Sequence, residues 1–369
     1  MSNLSRKILA LDPFLEGSHL DLLQGWKKHS IHDINILGLH SGPWHWRMRH
    51  GAISLARKVH ELLNRGESWD AIFATSMLHL GEFKSLCPSL AKLPTVVYFH
   101  ENQLTYPKEN KPDPHLIFNQ FIGTICADTI WYNSTFHQQE HHQSLRNWLK
   151  RMPPPSLLPE FETWKQKGKV VYPGVEIPSI NSTTPPSDGP LHLLWSARWE
   201  KDKNPQLFVE LIRSLKISGL DFKLTLMGHQ PPKSDSLIDE LKSLLGPLLH
   251  QPGFQESRTS MLSLQKPTHL HISTTHHEFF GLSIMESAIQ HKAICLPRRL
   301  SYPELYGELE HVDDGIIFFE NIQEAVSKII IFDQQRKAGK LCFSKRSQIL
   351  SKYSWDISAR HFDQLTFDN

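Results

Sequence analysis

The 369-residue sequence has the length and composition of a soluble protein with two domains. Charged residues make up 21% of the chain and hydrophobic residues 39%, which argues against a disordered protein. The formal net charge of +2 excludes the overall basic coat that many nucleic-acid binders carry, but it leaves a local basic patch open.

The cysteines and the apolar runs indicate where such a protein works. Cys87, Cys126, Cys295 and Cys342 are scattered without a C-x-x-C pair, so the sequence predicts neither a disulfide framework nor a cysteine zinc site. No apolar run approaches the ~20 residues of a membrane-spanning helix. The first strand pattern begins near residue 8 without a signal-peptide region. We therefore expect a cytoplasmic protein with no membrane partner.

Strand and helix patterns alternate along the first half of the chain. The predicted strands are residues 7–11, 34–39, 71–76, 94–99, 129–133 and 170–172, and the predicted helices are 19–29, 51–65 and 119–127. This alternation is typical of a doubly wound parallel sheet, in which ligand loops lie at the carboxyl ends of the strands.

A second alternation follows a proline-rich stretch. The expected strands are residues 191–196, 222–227, 268–273 and 293–297, and the expected helices are 206–217, 236–245, one after Gly281, and a tail at 344–369. We predict a first domain at 1–178, a linker at 179–190, a second domain at 191–345 and a helical tail at 346–369. The pattern predicts an α/β fold of two Rossmann-like domains that face a cleft, with a C-terminal helix that can cross back to the first domain.

A polar run follows the predicted strand at 94–99. Its members His100, Glu101, Asn102 and Gln103 favour a ligand site, because a simple turn would prefer Gly, Asn or Asp. His100 could hydrogen-bond a transferred sugar or an attacking hydroxyl. The alternative is that His100 and Glu101 cap the next segment.

Residues 44–49 combine aromatic and basic side chains, namely Trp44, His45, Trp46, Arg47 and Arg49. Indole faces stack on unpaired bases and arginine pairs with phosphate, so this segment predicts contact with a single-stranded RNA loop. The alternative is a tryptophan-anchored corner of the first domain.

Two histidines at helical spacing raise the question of a metal. His137 and His141 are separated by four residues, as in some zinc sites. No third ligand or base is evident beside them. A solvated helix face is the favoured interpretation, and no metal site is predicted.

Two cations follow the first strand of the second domain. Arg198 and Lys203 lie in a loop before a helix start. Fixed cations there would bind a diphosphate and neutralise the charge that grows on it as a sugar leaves, so no metal cofactor is expected. The alternative is a pair of solvated loop charges.

A strand, a tight loop and a helix are predicted at residues 268–291. The helix start leaves backbone N–H groups unpaired, and these donors form a site for a diphosphate together with the positive end of the helix dipole. Carboxylates on either side can accept hydrogen bonds from the hydroxyls of a ribose and a hexose. The alternative is an amphipathic core helix with solvated glutamates. The candidate donor-site residues are Glu278, Phe279, Phe280, Gly281, Leu282 and Glu286.

These second-domain motifs resemble the donor site of retaining GT-B glycosyltransferases. The resemblance rests on two glutamates eight residues apart, Glu278 and Glu286, with Phe-Gly-Leu between them, and on the Arg198 and Lys203 pair. It implies that Glu278 meets the transferred sugar, that Glu286 meets the ribose, and that the loop amides meet the diphosphate.

The chain as a whole resembles the tRNA-queuosine α-mannosyltransferase family. The similar segments are 17–19, 44–49, 70–76, 98–107, 119–120, 132–134 and 299–304. The resemblance implies retaining transfer of mannose from GDP-mannose to queuosine at the wobble position of the tRNA-Asp anticodon. Glu16 departs from the family, which tends to have glycine there.

The resemblance also implies roles for individual residues. The catalytic set would be His100, Glu278, Arg198 and Lys203, and Gly17 would join the donor side. The acceptor side would take Ser18 and His19 together with Trp44, His45, Trp46, Arg47, Arg49, Glu101, Asn102 and Gln103. No carboxylate nucleophile is evident, which favours front-side attack with the leaving phosphate as the base. A GT-B enzyme with a lipid or glycan acceptor and an inactive tRNA-binding module are the alternatives.

Overall fold

The computed structural model describes residues 5–40, 42–105, 113–177, 188–229, 235–255 and 257–365. Most of the predicted linker, part of the 98–107 segment and the end of the predicted tail lie outside these ranges. The chain divides into two compact units, one of Met1–Glu176 with Tyr353–Asn369 and the other of Ile177–Lys352.

A parallel six-stranded sheet lies at the centre of the first unit. Its strands are β1 (Lys7–Asp12), β2 (Asp33–Gly38), β3 (Ala71–Thr75), β4 (Thr95–Phe99), β5 (Thr129–Tyr132) and β6 (Gly168–Val170). The helices are α1 (Gly17–His29), α2 (Trp44–Leu63), α3 (Leu80–Leu86), α4 (Pro114–Cys126), α5 (Thr135–Leu149) and α6 (Leu158–Trp164). The inner strands are buried almost throughout, as expected where helices cover both faces of a parallel sheet.

The second unit repeats this plan with a second parallel six-stranded sheet. Its strands are β7 (Leu191–Ser196), β8 (Phe222–Met227), β9 (Leu249–Gly253), β10 (Leu270–Ile272), β11 (Ala293–Pro297) and β12 (Ile316–Phe319). The helices are α7 (Pro205–Ile217), α8 (Asp235–Leu245), α9 (Arg258–Gln265), α10 (Leu282–Ile289), α11 (Tyr302–Tyr306), α12 (Ile322–Lys337) and α13 (Ser344–Leu350).

The strand orders predict where ligands should bind. The first sheet runs β2-β1-β3-β4-β5-β6 and the second runs β12-β11-β10-β7-β8-β9. The order reverses between β1 and β3 in the first sheet and between β7 and β10 in the second. Doubly wound sheets bind ligands at the carboxyl ends of the strands at such a point. The loops after β1, β3, β7 and β10 are therefore the places where site residues are expected.

The last helix, α14 (Trp355–Leu365), belongs to the first unit. The indole nitrogen of Trp26 in α1 donates to Asp363 Oδ1 at 2.8 Å. The ring of Trp355 lies so close to Gly25 and Gly174 that a Cβ on either glycine would overlap it. The predicted return of a C-terminal helix to the first unit is confirmed.

Several element boundaries differ from the prediction by one or more residues, and three of the differences are informative. Helix α2 begins at Trp44 instead of residue 51, because Arg47, Met48 and Gly51 already share a buried face at helical spacing. Helix α4 begins at Pro114 instead of residue 119, since the side chain of Asp113 caps it by accepting from the His115 amide. Strand β6 lies two residues earlier than predicted, at Gly168–Val170.

The predicted solvated face of α5 is wrong. His137 and His141 are 0% and 1% exposed, and they pack against the end of β5. His141 Nδ1 lies 2.9 Å from the hydroxyl of Tyr132. Burial, and to a smaller extent the charge of His142, lower the pKa of His141 to about 3, so this imidazole stays neutral in the core.

Candidate active site

The loop between β10 and α10 in the second unit is held in shape by hydrogen bonds to neighbouring loops. Thr275 Oγ1 donates to the carbonyl of Asp202 at 2.8 Å, and the His276 amide donates to the same carbonyl at 2.7 Å. Arg299 Nε donates to the Thr275 carbonyl at 3.3 Å. The loops that follow β7 and β10 are therefore fixed to each other, as expected at the reversal point of this sheet.

Gly281 makes the tight entry into α10 that the sequence predicts. Its φ of 82° lies in the left-handed region, and a Cβ would come within 3.3 Å of both the Glu278 side chain and the Tyr302 ring. Phe279 and Phe280 are 4% and 3% exposed and pack under the turn. The Phe279 amide donates to Glu278 Oε1 at 3.2 Å, so this amide is already engaged. Leu282 opens the helix, and its N-terminal end is where a diphosphate is expected.

Lys203 and Glu278 meet directly although they are far apart in the chain. Lys203 Nζ lies 3.2 Å from Glu278 Oε2 and 3.2 Å from Asp202 Oδ2. It also donates to the His277 carbonyl at 3.3 Å. Asn204 holds the lysine at the start of α7, because its left-handed backbone, with a φ of 51°, lets its side chain cap the Leu207 amide.

The electrostatics of this pair keep the lysine charged. Burial lowers the pKa of Lys203, but the charges of Glu278 and Asp202 outweigh that effect, and the net shift is upward. His277 beside it behaves in the opposite way, because burial and then the charge of Lys203 lower its pKa to about 4. At neutral pH the site therefore presents a cation, Lys203, and a neutral imidazole, His277, beside Glu278 and Asp202.

Arg198 and Glu286 complete the predicted donor set. The side chain of Arg198 is 51% exposed, and Nη1 lies 3.3 Å from Glu200 Oε2. Its charge reaches Lys203, whose pKa it lowers slightly against the larger effects. Glu286 is 8% exposed and lies about one turn into α10. The structure thus joins Lys203 with Glu278, places Arg198 within electrostatic reach, and puts Glu286 in the following helix.

In the first unit, a buried aspartate that the sequence analysis missed organises the end of β1. Asp12 is fully buried, and its Oδ1 accepts from the Phe14 amide at 2.7 Å and from Thr75 Oγ1 at 3.0 Å. Its Oδ2 lies 2.8 Å from His19 Nδ1. A signal was present in the sequence, because Asp12 stands at the carboxyl end of a buried strand and shortly before Gly17 and the histidine.

His100 lies directly against this pair. Its ring stacks on that of His19 with centroids 3.7 Å apart and an interplanar angle of 17°. Asn133 Nδ2 donates to the His100 carbonyl at 3.0 Å and so fixes the backbone. His100 Nε2 is buried and has no hydrogen-bond partner among the described residues. Burial, followed by the charges of His19 and His137, holds the pKa of His100 well below its usual value.

The residues after His100 mainly shape their own loop. Asn102 and Gln103 are 0% and 1% exposed. Asn102 Oδ1 accepts from the amide and the hydroxyl of Thr105 at 3.1 and 3.0 Å. The Gln103 amide donates to Gln120 Oε1 at 2.9 Å, and Gln103 Nε2 donates to Glu101 Oε1 at 3.2 Å. The half-buried Glu101 is the more accessible member of this predicted acceptor group.

The segment at 44–49 forms the first turns of α2 and divides into an inner and an outer face. Arg47 is 4% exposed, donates through Nη1 to Glu16 Oε1 at 2.9 Å, and lies 4.2 Å from the centre of the Phe14 ring. Trp46 is 62% exposed, and Arg49 is exposed as well. Arg47 therefore faces inward, and Glu16, the departure from the family pattern, is its partner.

The remaining predicted residues lie near the start of these two helices. Trp44 is half-buried and stacks on the exposed His45 with ring centroids 3.5 Å apart. Gly17 and Ser18 are exposed at the N-terminus of α1. Gly17 adopts a φ of 51°, which favours glycine, and no atom lies within 4 Å of where its Cβ would be.

Comparison with known proteins places this geometry in a family. The tRNA-queuosine alpha-mannosyltransferase of Drosophila melanogaster is 32% identical over 318 residues, an alignment that covers 83% of this chain and 83% of that protein. The chain belongs to the tRNA-queuosine alpha-mannosyltransferase family. The family model described as tRNA-queuosine alpha-mannosyltransferase N-terminal matches residues 7–175, which are the first unit without its returning helix. The resemblance seen in the sequence is thereby confirmed.

Solved structures of glycosyltransferases share the fold of this family member over nearly the whole chain. A glycosyltransferase from Rickettsia africae matches with a TM-score of 0.68 at 15% identity and covers 100% of both chains. A sucrose-phosphate synthase from Thermosynechococcus elongatus reaches 0.70 at 12% identity, with 98% of each chain covered. HepE from Anabaena, solved in complex with UDP, reaches 0.65 at 14% identity and covers 98% of this chain and 99% of its own. The predicted GT-B fold and the glycosyltransferase class are confirmed.

The helices of this family member give no sign of a membrane span. Among the helices in the described ranges, none combines the length and the apolar character that crossing a bilayer requires.

Proposed function

We propose that this protein transfers mannose from GDP-mannose to a hydroxyl of queuosine in a tRNA anticodon, in the cytoplasm and with retention of configuration. The observation that carries the proposal is the Lys203–Glu278 pair at the turn into α10. The chain that carries this pair is 32% identical to a relative named tRNA-queuosine alpha-mannosyltransferase. The relative supports the reaction class, and the Lys203–Glu278 ion pair supports a donor-binding site in the second unit.

The second unit would hold the donor. Lys203 and Arg198 offer positive charge to the diphosphate, and the amide groups at the start of α10 add donors and the positive end of a helix dipole. Glu278 would accept from hydroxyls of the hexose and Glu286 from those of the ribose. Because two cations and a helix N-terminus already oppose the charge of the leaving GDP, we propose that transfer needs no metal ion.

Front-side attack accounts for retention without a protein nucleophile. The bond between the anomeric carbon and the GDP oxygen breaks while a bond to the queuosine hydroxyl oxygen forms on the same face. The proton of that hydroxyl passes to the phosphate oxygen of the departing GDP. Lys203 stabilises the transition state, because the negative charge on the diphosphate is larger there than in the bound donor.

The first unit would hold the tRNA. The outer face of α2 presents Trp46 for stacking on an unpaired base and Arg49 for a phosphate. Ser18, His45 and Glu101 would add polar contacts. Arg47 would support this surface from inside through Glu16, and direct phosphate binding is assigned to Arg49 instead. His100 would act as the polar partner beside the acceptor hydroxyl.

Transfer can be tested with the purified protein, radiolabelled GDP-mannose and total tRNA. We expect label in a single tRNA species when the tRNA contains queuosine, and none when it comes from cells unable to make that nucleoside. UDP-glucose serves as the matched donor control and should give little label. An α-specific mannosidase should release the label, which tests retention.

Other outcomes would overturn this proposal in distinct ways. Label in a lipid or glycan fraction would identify another acceptor for the same fold. Specific tRNA binding without transfer from any sugar nucleotide would identify a binding module.

The metal-free mechanism can be tested separately by chelation. Full activity after chelation with EDTA is expected, and loss of activity that a divalent ion restores would contradict the metal-free mechanism.

A further inference from the structure

The carboxylate of Asp12 is surrounded by donors at the reversal point of the first sheet. The Phe14 amide and the Thr75 hydroxyl both donate to Oδ1, and His19 Nδ1 lies 2.8 Å from Oδ2. The carboxylate is 0% exposed, so water cannot replace these partners. An acceptor held in this way requires a hydrogen on the facing nitrogen of the histidine, which makes Nδ1 the donor.

Fixing the hydrogen on Nδ1 determines what the other nitrogen of His19 can do. In the neutral ring Nε2 then carries a lone pair and can only accept a hydrogen bond. No hydrogen bond to Nε2 is found among the described residues, and 8% of the side chain remains exposed. His19 thus has one nitrogen bound inside the fold and the other available for a ligand.

The stacked His100 ring completes the environment. A parallel neighbour 3.7 Å away restricts rotation of the His19 ring and contributes no hydrogen bond to it. Asp12, His19 and His100 also place potential metal-ligand atoms within 4.8 Å of one another. Parallel rings direct their nitrogen lone pairs along parallel planes, however, and one ion cannot lie in both. The stacked arrangement of the two rings therefore suits hydrogen bonding by His19 better than coordination of a metal ion.

We propose that Asp12 and His19 form a positioning dyad in which Asp12 fixes the His19 tautomer and Nε2 accepts a hydrogen bond from a hydroxyl of the acceptor nucleoside. Asp12 is a positioning residue, because it acts on the acceptor through His19. The inference rests on the proposed function for the identity of the acceptor. A vicinal diol on a nucleoside suits this site, since one hydroxyl can donate to Nε2 while the other attacks the sugar.

The charges around His19 give the dyad a pH dependence. Burial lowers the pKa of His19, but the charge and hydrogen bond of Asp12, together with the charge of Glu101, outweigh burial and the opposing charge of Arg47. The net pKa is raised above the usual 6.5. Below the raised pKa Nε2 gains a proton and becomes a donor, so transfer should decline as the pH falls. Without the carboxylate the hydrogen is no longer held on Nδ1, so transfer should be weakened above this pKa as well and the decline with falling pH should flatten.

The tautomer can be measured without any substrate. The full-length protein is labelled with ¹⁵N-histidine, and His19→Gln identifies the His19 signals. Wild type should show a protonated Nδ1 and an unprotonated Nε2 above the pKa of His19. Asp12→Asn presents an amide N–H to Nδ1, so the hydrogen should move to Nε2. A wild-type spectrum with the hydrogen on Nε2 would overturn the dyad.

The pH–rate profile tests whether the tautomer matters for transfer. Asp12→Asn should lower kcat/KM for tRNA about 10- to 100-fold above the pKa of His19, the factor expected for a charge-assisted hydrogen bond. It should also flatten the acid limb, because Nε2 then carries a hydrogen at every pH. His19→Gln keeps an amide acceptor but does not titrate, so it should lose the acid limb and keep part of the activity. The matched control is His29→Gln, at the other end of α1, which should keep the wild-type profile.

The results separate failure of the dyad from failure of the proposed function. An equal loss at every pH in Asp12→Asn would indicate a purely structural role and would overturn the dyad. If Asp12→Asn does not fold, the wild-type spectrum and the His19→Gln profile decide the question. Stoichiometric zinc in the purified protein that disappears in His19→Gln would also overturn it. Absence of transfer by wild type would count against the proposed function and leave the tautomer result standing.

Discussion

The two units place different kinds of chemistry at the same point of similar sheets. In the second unit, the loops at the reversal point carry the Lys203–Glu278 ion pair. Burial lowers the pKa of Lys203, but the charges of Glu278 and Asp202 raise it by more, so the lysine keeps its positive charge. In the first unit, the segments that follow β1 and β4 carry His19 and His100, whose charge or tautomer depends on their neighbours. A diphosphate needs permanent positive charge, whereas a hydroxyl needs an oriented acceptor. The difference supports the proposal that the second unit holds the donor and the first unit the acceptor.

Removal of the fixed charge in the second unit should have the largest effect. Lys203→Ala should lower kcat by about 10³-fold, because the charge that develops on the leaving diphosphate loses the cation that opposes it. The variant also leaves Glu278 and Asp202 without their shared partner. Steady-state kinetics with GDP-mannose and tRNA would measure the loss. Lys201→Ala, an exposed neighbour in the same turn, is the control and should stay near wild type.

A smaller loss of kcat is expected when Arg198, the second cation, is replaced, because about half of its side chain is exposed. Arg198→Ala should cost on the order of 10²-fold in kcat. Arg198→Lys keeps the charge without the planar guanidinium and should recover part of the rate. Single-turnover measurements at saturating donor would isolate the chemical step. Near-normal turnover of Arg198→Ala would remove this residue from the donor site.

The sequence revealed the second-unit site more completely than the first for a physical reason. Glu278, Gly281 and Glu286 lie in one contiguous strand–loop–helix segment, so spacing alone predicts that they lie near one another. Arg198 and Lys203 come from another loop. Their position after the first strand of the second domain predicted a role at the diphosphate, but the direct contact of Lys203 with Glu278 was not predicted. The fold could likewise be predicted from the sequence, because buried strands and amphipathic helices are encoded by local patterns.

The first-unit site depends on contacts that no local pattern contains. Asp12, His19, Thr75 and His100 come from β1, α1, β3 and the loop after β4, and only the strand order brings them together. The inward direction of Arg47 was also hidden, because α2 begins earlier than its apolar periodicity indicated. The segment at 44–49, which was predicted to contact an RNA loop, forms the first turns of a helix with an inner and an outer face.

Substitutions on the outer face of α2 test whether the first unit contributes to tRNA binding in the whole protein. Trp46→Ala should raise the KM for tRNA about 10-fold with little change in kcat, which is the size expected for one base–aromatic stack. Trp46→Phe should restore most of the affinity. Ile217, which is 80% exposed in the second unit, offers a control for loss of a surface apolar side chain. An equal effect of Ile217→Ala would argue against a specific stack.

The smallest expected effect is on the pH dependence of the free energy of unfolding, to which buried histidines of both units contribute. Each has a buried neutral histidine, His141 in the first and His271 in the second, and burial lowers the pKa of both to about 3. The unfolded chain binds a proton at each near pH 6.5 while the folded chain does not. The free energy of unfolding should therefore fall as the pH drops from about 6.5 towards 3, by at most about 1.4 kcal/mol per pH unit for each histidine.

Replacing one of these histidines separates its contribution. His271 Nδ1 lies 2.8 Å from Ser287 Oγ, and glutamine can keep a hydrogen bond to that hydroxyl without titrating. His271→Gln should flatten the pH dependence of the free energy of unfolding by about one histidine's share, as measured by urea denaturation from pH 7 to pH 4. His311→Gln, at a side chain 64% exposed, should leave the slope unchanged. An unchanged slope in His271→Gln would mean that the folded protein accepts a proton at this buried position.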